Sequence, residues 1–311
     1  MKNTLAIVFP GQGSQAVGML SELYQQHDVV KHTFAEASAA LGYDLWALVA
    51  NGPEADLNET QRTQPALLTA SVAVWRLWQQ QGGATPAYFA GHSLGEYSAL
   101  VCAGVLTLAD AVKLVEKRGN YMQQAVPAGV GAMFAIIGLD DAAIVNACAD
   151  AAQGEVVSPV NYNSPGQVVI AGHKAAVERA GELCKAAGAK RALPLPVSVP
   201  SHCALMRPAA EQLVTDLTAL HFNNAVIPVV NNVDVAIAPD AAAVKDALVR
   251  QLYSPVQWTQ TIEWLAAQGV TEVLEFGAGK VLSGLIKRID KNLSCASVGD
   301  IASLQAALAA E

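Results

Sequence analysis

The stretch AYFAGHSLGEYSAL, residues 87–100, sets Ser93 between Gly91 and Gly95. AYFAG reads as a buried strand and EYSAL as the opening of a helix, so the pattern G-x-S-x-G falls at a strand-to-helix turn. In such a turn the serine takes a strained backbone conformation, and side chains at the two glycine positions would collide with the neighbouring strand and helix. The hydroxyl is then presented at the carboxyl edge of a sheet, with the N–H of Leu94 and the helix N-terminus facing a reacting carbonyl. That is the setting of a nucleophile. The plainer reading is an N-cap serine in a tight turn, a role serine fills well.

Outward from this stretch, the chain alternates strands and helices. LAIVFPGQGSQAVGM is a short apolar strand running into a glycine turn, and helical spacing follows over residues 19–49. Residues 63–82 form a helix that closes on Gly82-Gly83, and residues 107–125 another, starting at Thr107 with Asp110 three positions on. From about Gly131 the pattern becomes β-α-β-β-α-β, ending with the strand KRALPLPVSV, which is the order of a ferredoxin-like module. Beyond it come a helix over 205–220, the strand IPVVNNV, two helices over 240–268, the strand VTEVLEF, a GAGK turn, the helix VLSGLIKRI and a last short strand. The expectation is an α/β fold: a parallel sheet covered on both faces, built from residues 1–128 and 199–311, with a ferredoxin-like (βαββαβ) subdomain inserted over 129–198.

Of the 311 residues, 52% are hydrophobic and 15% charged, which is the composition of a chain with a large core rather than a disordered one. No apolar run approaches the roughly 20 residues of a membrane span, and the N-terminus lacks the features of a secretory signal, so a cytoplasmic protein is expected. A net charge of -8 disfavours nucleic acid and anionic membranes as partners. The five cysteines are scattered without a C-x-x-C pair, which suggests neither disulfides nor a zinc site.

The turn Gly11-Gln12-Gly13-Ser14-Gln15-Ala16 satisfies the dinucleotide pattern G-x-G-x-x-G/A, but Glu36, the acidic residue at the right distance, lies in a helical stretch rather than at a strand end. The turn serves better as a source of backbone N–H groups for an oxyanion. A nucleophilic serine needs a base. His27, His32, His173 and His221 sit in solvated or capping positions, and His92, next to Ser93, projects away from it. His202, in PVSVPSHCALM, stands where the chain returns from the insertion, and reads either as the base or as a residue opening a helix. A Cys-His pair with Cys203 is disfavoured, because adjacent residues seldom aim at each other. No acidic residue completes a triad in a recognisable motif, which leaves a backbone carbonyl to orient the histidine. Arg118, in KLVEKRGNYM, reads as near a helix end, either complementing the helix dipole or clamping a substrate carboxylate.

GQGSQ, GHSLGE, KRG, PSH and SPVQW stand in this order in one chain, and together they resemble the malonyl-CoA:acyl carrier protein transacylases of bacterial type II fatty acid synthesis, over the whole length. The resemblance implies an α/β-hydrolase-like domain interrupted by a ferredoxin-like subdomain, and transfer of malonyl from malonyl-CoA to the phosphopantetheine thiol of acyl carrier protein through a malonyl-serine. It implies Ser93 as nucleophile, His202 as base, Arg118 as carboxylate-binding residue, and Gln12 and Leu94 as oxyanion-hole donors. It also implies a backbone carbonyl at Gln251 that orients His202, a monomer, no metal and no cofactor. Ala278 departs from the pattern, since the family commonly has proline there. The rivals are a serine hydrolase or thioesterase with the same elbow, and a carrier-binding scaffold without activity.

Overall fold

The computed structural model describes residues 2–197 and 199–310. Nine strands occur among them: β1 Lys2–Phe9, β2 Pro86–Gly91, β3 Gly131–Ile137, β4 Val157–Ser164, β5 Gln167–His173, β6 Arg191–Pro194, β7 Val229–Val230, β8 Glu272–Phe276 and β9 Ser294–Val298. Five of them form a parallel sheet in the order β7-β2-β1-β8-β9. The other four form a small antiparallel sheet in the order β4-β5-β3-β6. The architecture is thus mixed α/β, with one parallel and one antiparallel sheet.

The apolar run at the start of the chain explains why β1 is central. Side chains alternate faces along a strand, and here both faces are covered: Leu5, Ile7 and Phe9 enter one hydrophobic cluster, while Ala6 and Val8 enter another on the opposite side. Helices Thr60–Gln80 and Leu108–Ala125 supply the first cluster, and helices Trp258–Ala267 and Val281–Ile289 the second. The antiparallel sheet repeats the alternation. Val168 and Ile170 of β5 pack under the helices Asp141–Ala152 and Lys174–Ala186, whereas Val169 and Ala171 face Met133, Val160 and Cys203. That second face lies against the segment that carries His202. Main-chain bonds from Tyr162 N–H to Val256 O (3.0 Å) and from Val256 N–H to Val160 O (2.8 Å) tie β4 to the chain just before helix Trp258–Ala267.

Several elements differ from the sequence expectation. The expected strand over 190–199 is only Arg191–Pro194, because Pro194 and Pro196 offer no N–H and β6 sits at the sheet edge. The expected boundary at residue 198 lies outside the described residues. The helical stretch 19–49 is three helices, Ser21–Gln26, Asp28–Leu41 and Leu45–Asn51, with Gly42 in a left-handed turn (φ 81°) between the last two. No helix among the described residues is long and apolar enough to cross a membrane.

Candidate active site

Strand β2 ends at Gly91, and helix Gly95–Cys102 begins four residues later. A Cβ on Gly91 would lie 1.9 Å from the carbonyl carbon of Gly95, and one on Gly95 would lie 2.0 Å from Phe9 O. Both glycines are therefore required by backbone packed against backbone. Ser93 between them has φ 52°, a left-handed conformation that costs a non-glycine residue about 1–2 kcal/mol. The elbow is held by its neighbours: Ser93 N–H donates to Asn232 Oδ1 at 2.7 Å, and the Asn232 amide donates to Gly91 O at 2.6 Å. The first glycine turn packs against the same spot, since a Cβ on Gly11 would lie 2.5 Å from His92 O. Gln12 and Leu94 both line the cleft that results. Neither Gln12 N–H nor Leu94 N–H donates to an acceptor among the described residues.

The chain crosses from the antiparallel sheet to helix Arg207–Ala219 through His202, itself at φ 64°. His202 is 3% exposed. Its Nδ1 lies 2.7 Å from the main-chain oxygen of Gln251, and its Nε2 lies 2.8 Å from Ser93 Oγ. A carbonyl oxygen only accepts, so Nδ1 carries the proton, and Nε2 accepts from the serine hydroxyl. Burial, reinforced by the nearby Arg118 cation and only partly offset by the Gln251 carbonyl, pushes the imidazole down to about 3. His202 is consequently neutral, the state in which it can take a proton. His92, by contrast, turns its Nε2 to Asn163 Oδ1 at 2.8 Å and its ring toward Trp258.

Arg118 is 1% exposed. Its helix continues to Ala125, so the expected position near a helix end is corrected: the guanidinium leaves the body of the helix and has no share in a C-terminal dipole. Gly119 next to it is where this helix crosses helix Thr60–Gln80, since a Cβ there would lie 2.6 Å from Gln61 Cα. The close crossing sets Arg118 against Gln64, whose Oε1 accepts from Nη1 at 2.9 Å. Nη2 donates to Gln251 Oε1 at 2.9 Å and approaches Ser93 Oγ at 3.4 Å. Nε has no acceptor among the described residues. The Arg118 cation thus has only neutral oxygens at hydrogen-bonding distance, on the wall of a cleft of about 470 Å³ that it shares with Gln12, Ser93, Leu94, Met133 and His202. A buried guanidinium in this state favours an anionic group.

All six expected residues therefore meet around one cleft, or, for Gln251, directly behind it. Sequence reasoning missed Gln64, Glu96, Asn163 and Asn232. Glu96 belongs to the GHSLGE run and is 2% exposed, and Asn232 is fully buried after β7. A polar residue at a position that the apolar pattern marks as core is the one signal that could have flagged them. Glu36, set aside as a ribose ligand, sits on a helix and pairs with Arg76 at 2.7 Å. Among the described residues, no group of three or more His, Cys, Asp or Glu could hold a metal ion.

A strand-elbow serine, a neutral histidine held by a carbonyl and a buried cation beside them define a site for acyl chemistry. In agreement, a family model described as an acyl transferase domain matches residues 6–304, and the chain belongs to that family. More particularly, it is similar to the malonyl CoA-acyl carrier protein transacylase of Salmonella typhimurium, 67% identical over 303 residues that cover 97% of this chain and 98% of that protein. A crystal structure of an acyl carrier protein S-malonyltransferase from Vibrio cholerae superposes with a TM-score of 0.97 at 69% identity, covering 98% of this chain and 99% of that one. A malonyl-transacylase solved in complex with a type II PKS acyl-carrier protein gives 0.98 at 62% identity, covering 99% and 100%.

Proposed function

We propose that the protein transfers malonyl from malonyl-CoA to the phosphopantetheine thiol of acyl carrier protein by way of a malonyl-Ser93 ester. His202 Nε2 takes the hydroxyl proton as Ser93 Oγ bonds to the thioester carbon, and the N–H groups of Gln12 and Leu94 receive the oxyanion. The C–S bond then breaks, and the coenzyme A thiolate leaves with the proton from His202. In the second half the carrier thiol gives its proton to His202 and attacks the ester, the C–O bond breaks, and Ser93 recovers its proton. Each oxyanion donor supplies about 3 kcal/mol to the transition state. Gln251 holds His202 through its main-chain oxygen, in the place of a triad acid. Arg118 receives the malonyl carboxylate.

The observation that carries this reading is the meeting of Ser93 Oγ with His202 Nε2 at 2.8 Å and Arg118 Nη2 at 3.4 Å. An acyl group that is esterified to Ser93 and ends in a carboxylate has its charge within reach of the guanidinium. The framework fits an α/β-hydrolase-like domain over 1–128 and 199–311, with a ferredoxin-like subdomain over 129–198 whose strand order β4-β5-β3-β6 has central strands β3 and β5 joined through helix Asp141–Ala152 and strand β4. The protein works as a cytoplasmic monomer, needs no cofactor beyond its two substrates, and supplies the malonyl units that fatty acid chain elongation consumes. Incubation with malonyl-CoA followed by intact mass should reveal a malonyl adduct on Ser93 that holo carrier protein removes. Absence of the adduct overturns the reading, and an adduct discharged equally fast by water alone makes the protein a hydrolase.

A further inference from the structure

Under the elbow lies a carboxyl group that the reaction above does not use. Glu96, 2% exposed, accepts two hydrogen bonds at one oxygen: Oε2 lies 3.0 Å from Asn232 N and 2.8 Å from Gln251 Nε2. The same Gln251 amide presents its oxygen to Arg118 Nη2 at 2.9 Å, while its main-chain oxygen receives His202 Nδ1–H at 2.7 Å. An amide has a donor end and an acceptor end. Turned over, Gln251 would set its NH2 against the guanidinium, and the Arg118 plane would lose the partner nearest to Ser93. The remaining acceptors of Gln251 Nε2 are Ser93 O at 3.1 Å and Asn232 Oδ1 at 3.4 Å, both longer than the bond to Glu96.

We propose that Glu96 is a positioning residue for malonyl transfer: its carboxyl oxygen fixes the Gln251 amide so that Oε1 holds Arg118 in place for the acyl carboxylate. This rests on the assignment of Arg118 to that carboxylate. The role requires an acceptor and not a charge. Burial pushes the Glu96 carboxyl up to about 7, the bonds from Asn232 and Gln251 opposing the rise, and both the ionised and the neutral acid accept at Oε2. Because both bonds end on one oxygen, a glutamine carbonyl at position 96 takes both.

The test compares Glu96→Gln and Glu96→Met in the full chain, with malonyl-CoA and acetyl-CoA as donors and holo carrier protein as acceptor. Glu96→Met should lose about tenfold in kcat/KM for malonyl, mainly through KM, with acetyl transfer within about threefold of wild type, the size of effect expected for one lost hydrogen bond to a charged partner. Glu96→Gln should restore malonyl transfer to within about threefold of wild type. An equal loss for both donors in Glu96→Met, an unchanged malonyl rate, or a Glu96→Gln variant as impaired as Glu96→Met overturns the proposal. If Glu96→Met does not fold, Glu96→Asp withdraws the carboxyl from Gln251 and carries the same comparison: a malonyl-selective loss supports the proposal and unaltered selectivity overturns it. Arg118→Ala run in parallel separates the two assignments. Selectivity lost there but intact in the Glu96 variants overturns the Glu96 role alone, while selectivity intact in Arg118→Ala removes both.

Discussion

Replacing Arg118 with alanine should separate malonyl from acetyl transfer. In the wild type the guanidinium is buried, with Gln64 and Gln251 oxygens at 2.9 Å and an Nε–H that has no acceptor among the described residues. A malonyl carboxylate gains charge-assisted bonds there worth about 1.5–3 kcal/mol. Their loss lowers kcat/KM for malonyl-CoA roughly ten- to a hundredfold. Acetyl has no carboxylate and loses none of this. It stands to gain, because the Arg118 cation is, after burial, the largest cause of the depressed His202 imidazole. Removing that cation raises the basicity of His202 toward its ordinary value, and a stronger base eases deprotonation of Ser93. On the proposed reading, a malonyl carboxylate seated at Arg118 would offset the same cation in the wild type. Arg118→Ala should therefore lose malonyl transfer while acetyl transfer holds or rises. The assay is single-turnover acylation with each donor, with Arg118→Met as a control that fills the volume and thermal melting to establish folding. Equal losses for both donors, in variants that melt like the wild type, would refute the reasoning.

Three further outcomes follow from the geometry. For the free enzyme, kcat/KM for malonyl-CoA should stay level as pH falls through 6.5, the ordinary imidazole value, because His202 is depressed to about 3 and the base is lost only when pH falls toward that lower value; an acid limb centred near 6.5 in the pH profile contradicts this. Gly91→Ala should yield little soluble, folded protein, since its Cβ would lie 1.9 Å from the Gly95 backbone, and overpacking against fixed backbone costs about 1–3 kcal/mol or more; a variant with wild-type Tm would disprove the close approach. If the carrier docks at an exposed basic cluster, the candidates are Lys190 with Arg191 and Lys280 with Lys287 and Arg288; charge reversal at the right one should raise KM for carrier protein and leave KM for malonyl-CoA unchanged, and an unaltered carrier KM in both variants counts against docking at either.

Much of the site was legible because it is local. The two glycines around Ser93, the strand before and the helix after are neighbours in sequence, and the collision that excludes a Cβ at Gly91 involves Gly95, four residues on. The apolar run LAIVF marked a strand covered on both faces, and β1 has that environment. The motif order then gave, through family resemblance, residues that local reading left open between two roles. His202 is one: nothing near it in sequence distinguishes a base from a helix opener.

What local reading could not reach depends on partners far apart in the chain. Arg118 sits in the body of a helix whose extent agrees with the sequence reading over 107–125, but its burial could not be read there, since it follows from a crossing at Gly119 with a helix some sixty residues earlier. The carbonyl of Gln251 bears no side-chain signature, since every residue has one, and only tertiary structure brings it 2.7 Å from His202. Glu96, Gln64 and Asn232 look like ordinary polar residues in a sequence, and become a connected network only when burial leaves them no water to bond. By itself, then, the sequence determined the alternating α/β order and the serine of the elbow, because backbone sterics act over a few residues. The family resemblance named His202, Gln251 and Arg118, but only the tertiary structure brings that base, carbonyl and cation together at the serine, because those distances are set by how separate helices and sheets pack.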